Sequence, residues 1–550
     1  MPSERKAKLG PYSKRLQWYT LWQVKSGVIY VGTPSLTPPT WRVDVPVNKT
    51  MSDNFYELLN RAFVEHADRP CLILPDGGSW SYGQIATLAG KIAQALRVRG
   101  VVVGDRVLVQ VEKSPEAVAL YLGCLQAAAV YVPINSAYTH EEVAYFVEDA
   151  EPSLLVCRRA DEAALNVIAP NLSTLTLAAD GTGSLMTSAL AIQPMDGIVA
   201  REGSDTAAIL YTSGTTGRSK GAMLTNVNLA SNALTLIDYW GWQDDDVLLH
   251  ALPIFHVHGL FVALHCAMLR GTAMIFLPGF DAGQIIEWLP SATVMMGVPT
   301  FYTRLLEKGE FNAETCRNMR LFISGSAPLT EQTFEAWRQR TGHPILERYG
   351  MSETSMNTSN PLDGERVAGT VGFALPGIEV RIANDAGEVL ASEEVGGIEV
   401  RGPNVFKGYW RMREKSAEEI REDGFFITGD LGVMDGEGRI SIVGRAKDLI
   451  ISGGYNVYPK EVEKLIDEMP GVVESAVIGV VHTDFGEGVV AIIVPVGDDV
   501  SEPEVRLSLE GRLARFKQPK IVVNVESLPR NTMGKVQKKA LRERYKDLFE

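Results

Sequence analysis

After the first fifty residues, apolar positions alternate between the spacing of a helix and the spacing of a strand. Residues 86–99 place apolar side chains on one helical face, 104–105 predict a turn, and 106–111 predict a strand. An apolar helix at 116–129 and a strand from Val130 follow. This rhythm predicts an α/β protein whose sheets are covered by helices on both faces.

The pattern changes towards the carboxyl end. Pro459 stands at the favoured first position of a helix, and apolar strands follow at 473–481 and 489–495. We therefore predict a large amino-terminal domain over residues 51–446 and a small α+β domain over residues 447–550, a common domain size.

Composition narrows the function classes. The 550 residues are 45% apolar and 22% charged, which is typical of a globular protein with several domains. The net charge of −14 argues against nucleic-acid binding, and no apolar run is long enough to predict a membrane span. The five cysteines are scattered without a CxxC pair, which argues against disulfides and zinc and favours a reducing, cytoplasmic compartment. We expect a monomer or homodimer, and the sequence does not choose between them.

Residues 1–50 differ from the rest of the chain. They carry a net charge of +6, which leaves −20 for the remainder, and they show no sustained helical or strand period. Two interpretations stay open. The segment is either a transit peptide, which would make the protein mitochondrial, or a disordered or mis-called leader ahead of a true start at Met51.

The strongest local signal follows an apolar strand at 207–211. Hydroxyl groups and glycines alternate there and end in a lysine, in the order Thr212, Ser213, Gly214, Thr215, Thr216, Gly217 and Lys220. Glycines let the backbone approach phosphate oxygens, hydroxyls donate hydrogen bonds, and lysine adds a positive charge. A Walker A loop is excluded, because Ser219 and Gly221 stand where that motif needs glycine and a metal-binding hydroxyl.

This loop resembles the signature loop of the adenylate-forming superfamily of acyl-CoA synthetases, peptide-synthetase adenylation domains and luciferases. The resemblance continues in family order at four further motifs, which are Tyr349–Thr354, Phe426–Asp430, Gly444–Asp448 and Pro529–Lys535. It implies an α/β fold with a large adenylate-forming domain and a small mobile carboxyl-terminal domain. It also implies activation of a carboxylic acid by ATP, followed by transfer of the acyl group to coenzyme A.

The resemblance implies a role for each matching residue. Lys535, Glu353 and Lys220 are the expected catalytic groups, and Glu353 is the expected Mg²⁺ ligand. Further ATP-binding roles fall on Glu347, Tyr349, Gly350, Thr354, Asp430 and Arg445, in addition to the loop from Thr212 to Lys220. Lys447 is the expected hinge, and Gly453 and Gly454 are expected to line the CoA channel. A non-catalytic nucleotide-binding relative is disfavoured, because Lys535, Glu353 and Lys220 are all present.

The acid to be activated is predicted from four residues, which are His256, Arg304, Ser326 and Met356. An arginine and a hydroxyl in the acyl pocket suit a second carboxylate, because guanidinium pairs with carboxylate through two hydrogen bonds. The amino-acid sequence of several segments also resembles that of bacterial malonyl-CoA synthetases. The resemblance therefore implies malonate, with methylmalonate as a tolerated substrate, and the alternative is another short-chain or aryl acid.

Overall fold

The computed structural model describes residues 54–212, 219–532 and 534–549. The interpretations of residues 1–50 and of Ser213, Gly214, Thr215, Thr216 and Gly217 lie outside these ranges.

Strands alternate with helices through most of the described chain. In chain order the strands are β1 (Pro70–Ile73), β2 (Ser79–Ser81), β3 (Arg106–Gln110), β4 (Val130–Pro133), β5 (Leu154–Cys157), β6 (Ser173–Thr176), β7 (Thr206–Thr212), β8 (Lys220–Thr225), β9 (Val247–His250), β10 (Ala273–Phe276), β11 (Val294–Gly297), β12 (Leu321–Ser324), β13 (Leu346–Met351), β14 (Ser355–Ser359), β15 (Phe373–Ala374), β16 (Glu379–Ala383), β17 (Gly396–Arg401), β18 (Phe426–Met434), β19 (Ile440–Arg445), β20 (Ile450–Ser452), β21 (Tyr455–Val457), β22 (Val472–His482), β23 (Gly486–Pro495) and β24 (Ile521–Asn524).

The α-helices are α1 (Phe55–Glu65), α2 (Tyr82–Val98), α3 (Pro115–Gln126), α4 (His140–Ala150), α5 (Glu162–Ile168), α6 (Ser184–Leu190), α7 (Asn226–Tyr239), α8 (His265–Arg270), α9 (Ala282–Trp288), α10 (Pro299–Leu306), α11 (Glu331–Thr341), α12 (Arg413–Glu419), α13 (Pro459–Asp467), α14 (Glu502–Leu509) and α15 (Lys538–Arg544). A π-helical stretch, His258–Leu264, leads into α8.

Local capping explains where several helices begin. Ser81 accepts a hydrogen bond from the Gln84 backbone, and the Gln84 side chain accepts one from the Ser81 backbone, so α2 begins four residues before the position predicted from apolar spacing. Pro459 opens α13 as predicted, because its fixed φ suits the first helical position and its missing N–H is not needed there.

The first sheet has six strands in the order β6-β5-β3-β4-β7-β8. Its pairs are parallel except for β7 with β8, in which Thr212 lies opposite Lys220. The two ends of the predicted phosphate loop are therefore held side by side at one end of this sheet.

The second sheet has nine strands in the order β15-β14-β13-β12-β11-β9-β10-β1-β2. Its central pairs, from β13 to β1, are parallel. Ligands in open α/β sheets bind beyond the carboxyl ends of the strands. Ser326 follows β12 there, and the Glu353 segment follows β13.

Two smaller sheets complete the fold. The antiparallel sheet β16-β17-β18-β19 sets Asp430 directly opposite Arg445. The last sheet, β21-β20-β23-β22 with β24 paired to β23, packs with α13 and α14 around its own apolar core. A single 3-10 turn at Ala446–Asp448 joins β19 to this last region. The helix-covered sheets confirm the predicted α/β class, and the domain bounds at 446 and 447 stay a prediction.

All five cysteines lie in the described ranges, are buried, and form no disulfide. Among the helices that the structure describes, none is both long enough and apolar enough to cross a membrane.

Candidate active site

Tyr349, Asp430 and Arg445 form a connected set at the predicted nucleotide position. The Tyr349 hydroxyl donates to Asp430 Oδ2 at 2.6 Å, and Arg445 Nε lies 2.7 Å from Asp430 Oδ1. Tyr349 and Asp430 are buried. Burial and the Asp430 charge raise the pKa of Tyr349, which keeps its hydroxyl protonated as a donor. An aromatic ring beside a carboxylate is a suitable surface for a base and a ribose.

Glu353 lies beside the strand ends that carry Thr212 and Lys220. Its Oε1 accepts from Thr212 Oγ1 at 3.3 Å and lies 3.1 Å from the hydroxyl of Tyr409. Burial raises the pKa of this carboxyl group, while the charge of Lys220 acts in the opposite direction. Among the residues of known position, no group of three or more His, Cys, Asp or Glu forms a metal site by itself.

Glu353 nevertheless fits a Mg²⁺ ligand, because Mg²⁺ is commonly held by one or two carboxylates together with substrate phosphates. The hydroxyl of the next residue, Thr354, is buried and has no hydrogen-bond partner within the described parts of the chain, so it is available to a polar ligand.

Lys220 is already paired. Its Nζ lies 3.0 Å from Glu419 Oε1 and 4.1 Å from the ring centroid of Tyr409, and the Tyr409 hydroxyl lies 2.7 Å from Glu419 Oε2. A phosphate that binds Lys220 therefore meets a carboxylate that is already in place.

Lys535 reaches the same cleft from the carboxyl-terminal region. The Lys535 side chain is exposed to solvent. The protein atoms around it nevertheless disfavour its charged form, and this desolvation lowers its pKa. Arg445 lowers the pKa further, while Asp430 and Glu353 raise it. In the segment before it, Thr532 accepts a hydrogen bond from Asn135 at 3.2 Å. Lys535 therefore lies close enough to Arg445, Asp430 and Glu353 for their charges to act on it.

His256 connects the lysine to the predicted acyl pocket. Burial, Lys535 and Arg348 together lower the pKa of His256 to about 3, so its imidazole is neutral at physiological pH. His258 is fully buried, and its Nδ1 lies 3.2 Å from the hydroxyl of Ser326. Ser326 has a positive φ of 70°, an uncommon conformation for serine that marks a strained turn beside the pocket.

Arg348 was not predicted from the sequence. The residue is 3% exposed, and its Nε and Nη2 have no hydrogen-bond partner among the residues described. Burial lowers its pKa to about 9, which leaves it a cation at neutral pH. Because side chains alternate along a strand, Arg348 points to the opposite face of β13 from Tyr349. A Cβ on Gly325 would overlap the Arg348 guanidinium, so any other residue at that point would displace the arginine.

Arg304, the cation that was predicted for the acyl pocket, is exposed on α10. Its guanidinium carbon lies 5.8 Å from the ring centroid of Phe280. Thr300, four residues earlier and on the same face of the helix, lies beside Gly534 next to Lys535. Arg304 therefore belongs to the cleft-facing side of α10, and its role stays a prediction.

The remaining predicted residues occupy three positions. Met356 is buried, and its Cε lies against Gly350, where a Cβ would meet it at 2.7 Å. Burial raises the pKa of Glu347 to about 8, so this group on the Tyr349 strand is largely protonated at neutral pH. The Gly453–Gly454 turn between β20 and β21 is exposed, and Gly453 N–H donates to Phe485 O.

The sequence analysis missed three residues, which are Arg348, Tyr409 and Glu419. Arg348 stands directly before the aromatic motif, and a charged residue inside an otherwise buried strand is the signal that identifies it. Tyr409 and Glu419 carry no signal of their own, because a long chain segment separates them from Glu353 and Lys220.

The comparisons with known proteins agree with this geometry. The chain matches the family model of the AMP-binding enzyme over residues 59–410 and that of the AMP-binding enzyme C-terminal domain over residues 461–535. It is 35% identical to a malonate–CoA ligase of Arabidopsis thaliana, with 90% of this chain and 89% of that protein covered. It is also 35% identical to the mitochondrial malonate–CoA ligase ACSF3 of Mus musculus, over 84% of this chain and 86% of the relative.

Among solved structures, ATP-bound MatB from Rhodopseudomonas palustris superposes with a TM-score of 0.88 at 53% identity, covering 91% of this chain and 100% of that one. The two family models and the relatives match both regions of the chain that form the cleft. The chain therefore belongs to the AMP-binding enzyme family.

Proposed function

We propose that the protein is an ATP-dependent malonate–CoA ligase. In the first step a malonate carboxylate attacks the α-phosphorus of ATP, forming malonyl-AMP and releasing pyrophosphate. In the second step the thiol of coenzyme A attacks the acyl carbon and releases AMP. Two relatives named malonate–CoA ligase, each covered over more than four fifths of its length, support this assignment.

The observation that carries the choice of acid is the buried guanidinium of Arg348, whose Nε and Nη2 have no hydrogen-bond partner among the described residues. A buried cation without a partner destabilises a site by several kcal/mol. A dicarboxylate offers one carboxylate for reaction and a second that can pair with this cation. A monocarboxylate with an apolar tail would leave the guanidinium unpaired, so the site selects against fatty and aryl acids.

His256 lies near the two cations that can bind the two ends of such a substrate. Lys535 and Arg348 both act on its pKa, so both cations are near it. We therefore assign Lys535 to the reacting carboxylate and Arg348 to the distal carboxylate, with neutral His256 between them as a hydrogen-bonding group. Ser326 adds a hydroxyl beside His258 on the same side.

The chemistry at phosphorus needs charge neutralisation and alignment. Lys535 supplies a compact cation where negative charge develops, and Lys220 is positioned for the β- and γ-phosphates. Tyr349 stacks on the adenine and Asp430 accepts from the ribose hydroxyls, which orients the α-phosphate. When Mg²⁺ is bound, Glu353 holds it, and its charge offsets that of the phosphate oxygens.

The test is labelled pyrophosphate exchange into ATP with malonate, methylmalonate, acetate, octanoate and coumarate, each followed by CoA ester formation. We expect malonate to give the highest kcat/KM, by at least about tenfold over acetate, since pairing the buried cation contributes more than about 1.4 kcal/mol. Octanoate or coumarate turning over as well as malonate would contradict the proposal.

A further inference from the structure

Three contacts join the carboxyl-terminal region to the rest of the molecule around Lys535. Lys464 Nζ on α13 lies 2.6 Å from Glu331 Oε1 at the start of α11. Asn135 Nδ2 donates to Thr532 Oγ1 at 3.2 Å. Gly534 lies against Thr300, where an added Cβ would come within 3.1 Å of the threonine hydroxyl. Two of these contacts lie within three residues of Lys535, and the ion pair lies on a separate helix.

A second lysine of α13 lies on the same face as the ion pair. Lys460 is one turn before Lys464 on α13, so the two side chains share a face. Burial raises the pKa of Glu347, and the charge of Lys460 acts in the opposite direction, which places Lys460 near that carboxyl group. Glu331 also acts on Glu347. Because Glu347 is largely protonated at neutral pH, the attraction of α13 to this surface comes mainly from the Lys464–Glu331 pair.

Two other ion pairs of α13, unlike Lys464–Glu331, lie entirely within the carboxyl-terminal region. Glu463 pairs with Lys538, and Glu461 pairs with Lys517 at 2.7 Å. Both partners of each of these pairs lie inside the carboxyl-terminal region, whereas the Lys464–Glu331 pair joins this region to the rest of the molecule and therefore depends on where the region lies.

We propose that Glu331 and Lys464 are positioning residues that hold the carboxyl-terminal region where Lys535 reaches the cleft, and that the pair favours adenylate formation over transfer to the thiol. This inference rests on the proposed two-step function. The Gly453–Gly454 turn and Lys535 belong to the same region, so a bond that fixes one placement of this region works against any other placement.

The size of the effect follows from the exposure of the pair. The side chains of Lys464 and Glu331 are 53% and 47% exposed, so water screens their attraction. An exposed ion pair shifts an equilibrium by about twofold to fivefold, and a charge reversal that creates repulsion shifts it somewhat further. Because the pair acts on a balance between two placements, its loss changes the two half-reactions in different directions.

The experiment measures the half-reactions separately. Adenylate formation is followed by pyrophosphate exchange, with whichever acid of the panel supports it, and transfer is followed from pre-made acyl-AMP to CoA. We expect Lys464→Glu and Glu331→Lys each to lower exchange about fivefold and to leave transfer unchanged or faster. The double variant Glu331→Lys/Lys464→Glu restores the attraction and should return exchange to within about twofold of the wild type.

Lys517→Glu is the matched control. It makes the same charge change but breaks a pair inside the carboxyl-terminal region, so it should not separate the half-reactions. Equal losses in both half-reactions, or a double variant no better than the single ones, would overturn the positioning role. Exchange that is fastest with octanoate or coumarate would overturn the choice of acid and still test the pair. Exchange with no acid would overturn the proposed function itself.

Discussion

The hydroxyl of Tyr349 donates to Asp430 across 2.6 Å, which joins the ring predicted to stack on adenine to the carboxylate predicted to accept from ribose. The two residues lie on different sheets, on β13 and β18. Asp430 is also fixed by Arg445, so the nucleotide would meet a surface that is already ordered. Such preorganisation lowers the entropy lost when the ligand binds.

The Tyr349–Asp430 bond gives the first prediction. Tyr349→Phe keeps the ring and removes one hydrogen bond, so we expect KM for ATP to rise by about threefold, the effect of a weak net hydrogen bond. Tyr349→Ala also removes the stacking surface and should raise KM by about thirtyfold. Steady-state kinetics with ATP varied at saturating acid checks both values. Equal effects of the two substitutions would show that the ring makes no contact with the base.

Lys535 gives the second prediction. Lys535→Ala should lower pyrophosphate exchange by at least about a thousandfold, because a preorganised cation at the developing charge is lost. Transfer from pre-made malonyl-AMP to CoA should continue, since that step does not need charge neutralisation at phosphorus. Lys539→Ala is the control, because Lys539 is an exposed lysine on α15 nearby. Loss of both half-reactions in Lys535→Ala would contradict its assigned role.

The two arginines of the acyl side give the third prediction. We expect Arg348→Met to lower kcat/KM for malonate by about a hundredfold and to leave acetate within about threefold, because only the dicarboxylate pairs with the buried cation. Arg304→Met, at an exposed site, should lower malonate activity less, by about threefold. The measurement is kcat/KM for both acids with each variant. A larger malonate-specific loss in Arg304→Met would show that Arg304, and not Arg348, binds the distal carboxylate.

These arginines also show what sequence patterns can and cannot predict. Motif order indicated the family, apolar spacing predicted the first residue of β4, and Pro459 predicted the first residue of α13. Arg304 was chosen because it ends an apolar segment. In the structure, α10 buries Phe301, Tyr302 and Leu305 and leaves Arg304 exposed on the face that it shares with Thr300, so its role in the acyl pocket stays a prediction. Which face of a helix meets a cleft depends on packing between distant segments. The pattern of a single sequence does not contain this information.

The same limit applies to the partners of Lys220 and Glu353. Local patterns placed both residues in motifs, but Tyr409 and Glu419 meet them through tertiary contacts across the fold. Arg348 could have been predicted more readily, because a cation within a buried strand needs a partner. Its neighbours, Gly325 and His256, come from other strand ends, so only the fold shows that they form one pocket.

Glu419 gives the fourth prediction. Because its carboxylate holds Lys220, Glu419→Gln should free the lysine for the triphosphate and lower KM for ATP by about threefold, with kcat unchanged. Glu418→Gln is the matched control, since Glu418 is exposed and pairs with Lys415. The measurement is KM for ATP with both variants. A rise in KM for Glu419→Gln would show instead that the carboxylate orients Lys220 for binding.

The fifth prediction concerns stability at acid pH and the buried histidine His265. Burial lowers the pKa of His265 to about 3, against about 6.5 in an unfolded chain. Between these values the unfolded state binds a proton that the folded state does not, so stability falls as pH drops below 6.5. The loss is about 1.4 kcal/mol per pH unit for this one residue. Buried carboxyls such as Glu347, whose raised pKa has the opposite sign, partly offset it.

A difference between variants isolates this one group. His265→Gln keeps a side chain that can accept from Tyr121, whose hydroxyl lies 2.8 Å from His265 Nε2, but it removes the titration. The variant should unfold at a lower urea concentration than the wild type at pH 7.5. The gap between the two midpoints should narrow at pH 5.5, because only the wild type loses stability through His265. A gap of the same size at both pH values would mean that His265 is protonated in the folded protein, contrary to its burial.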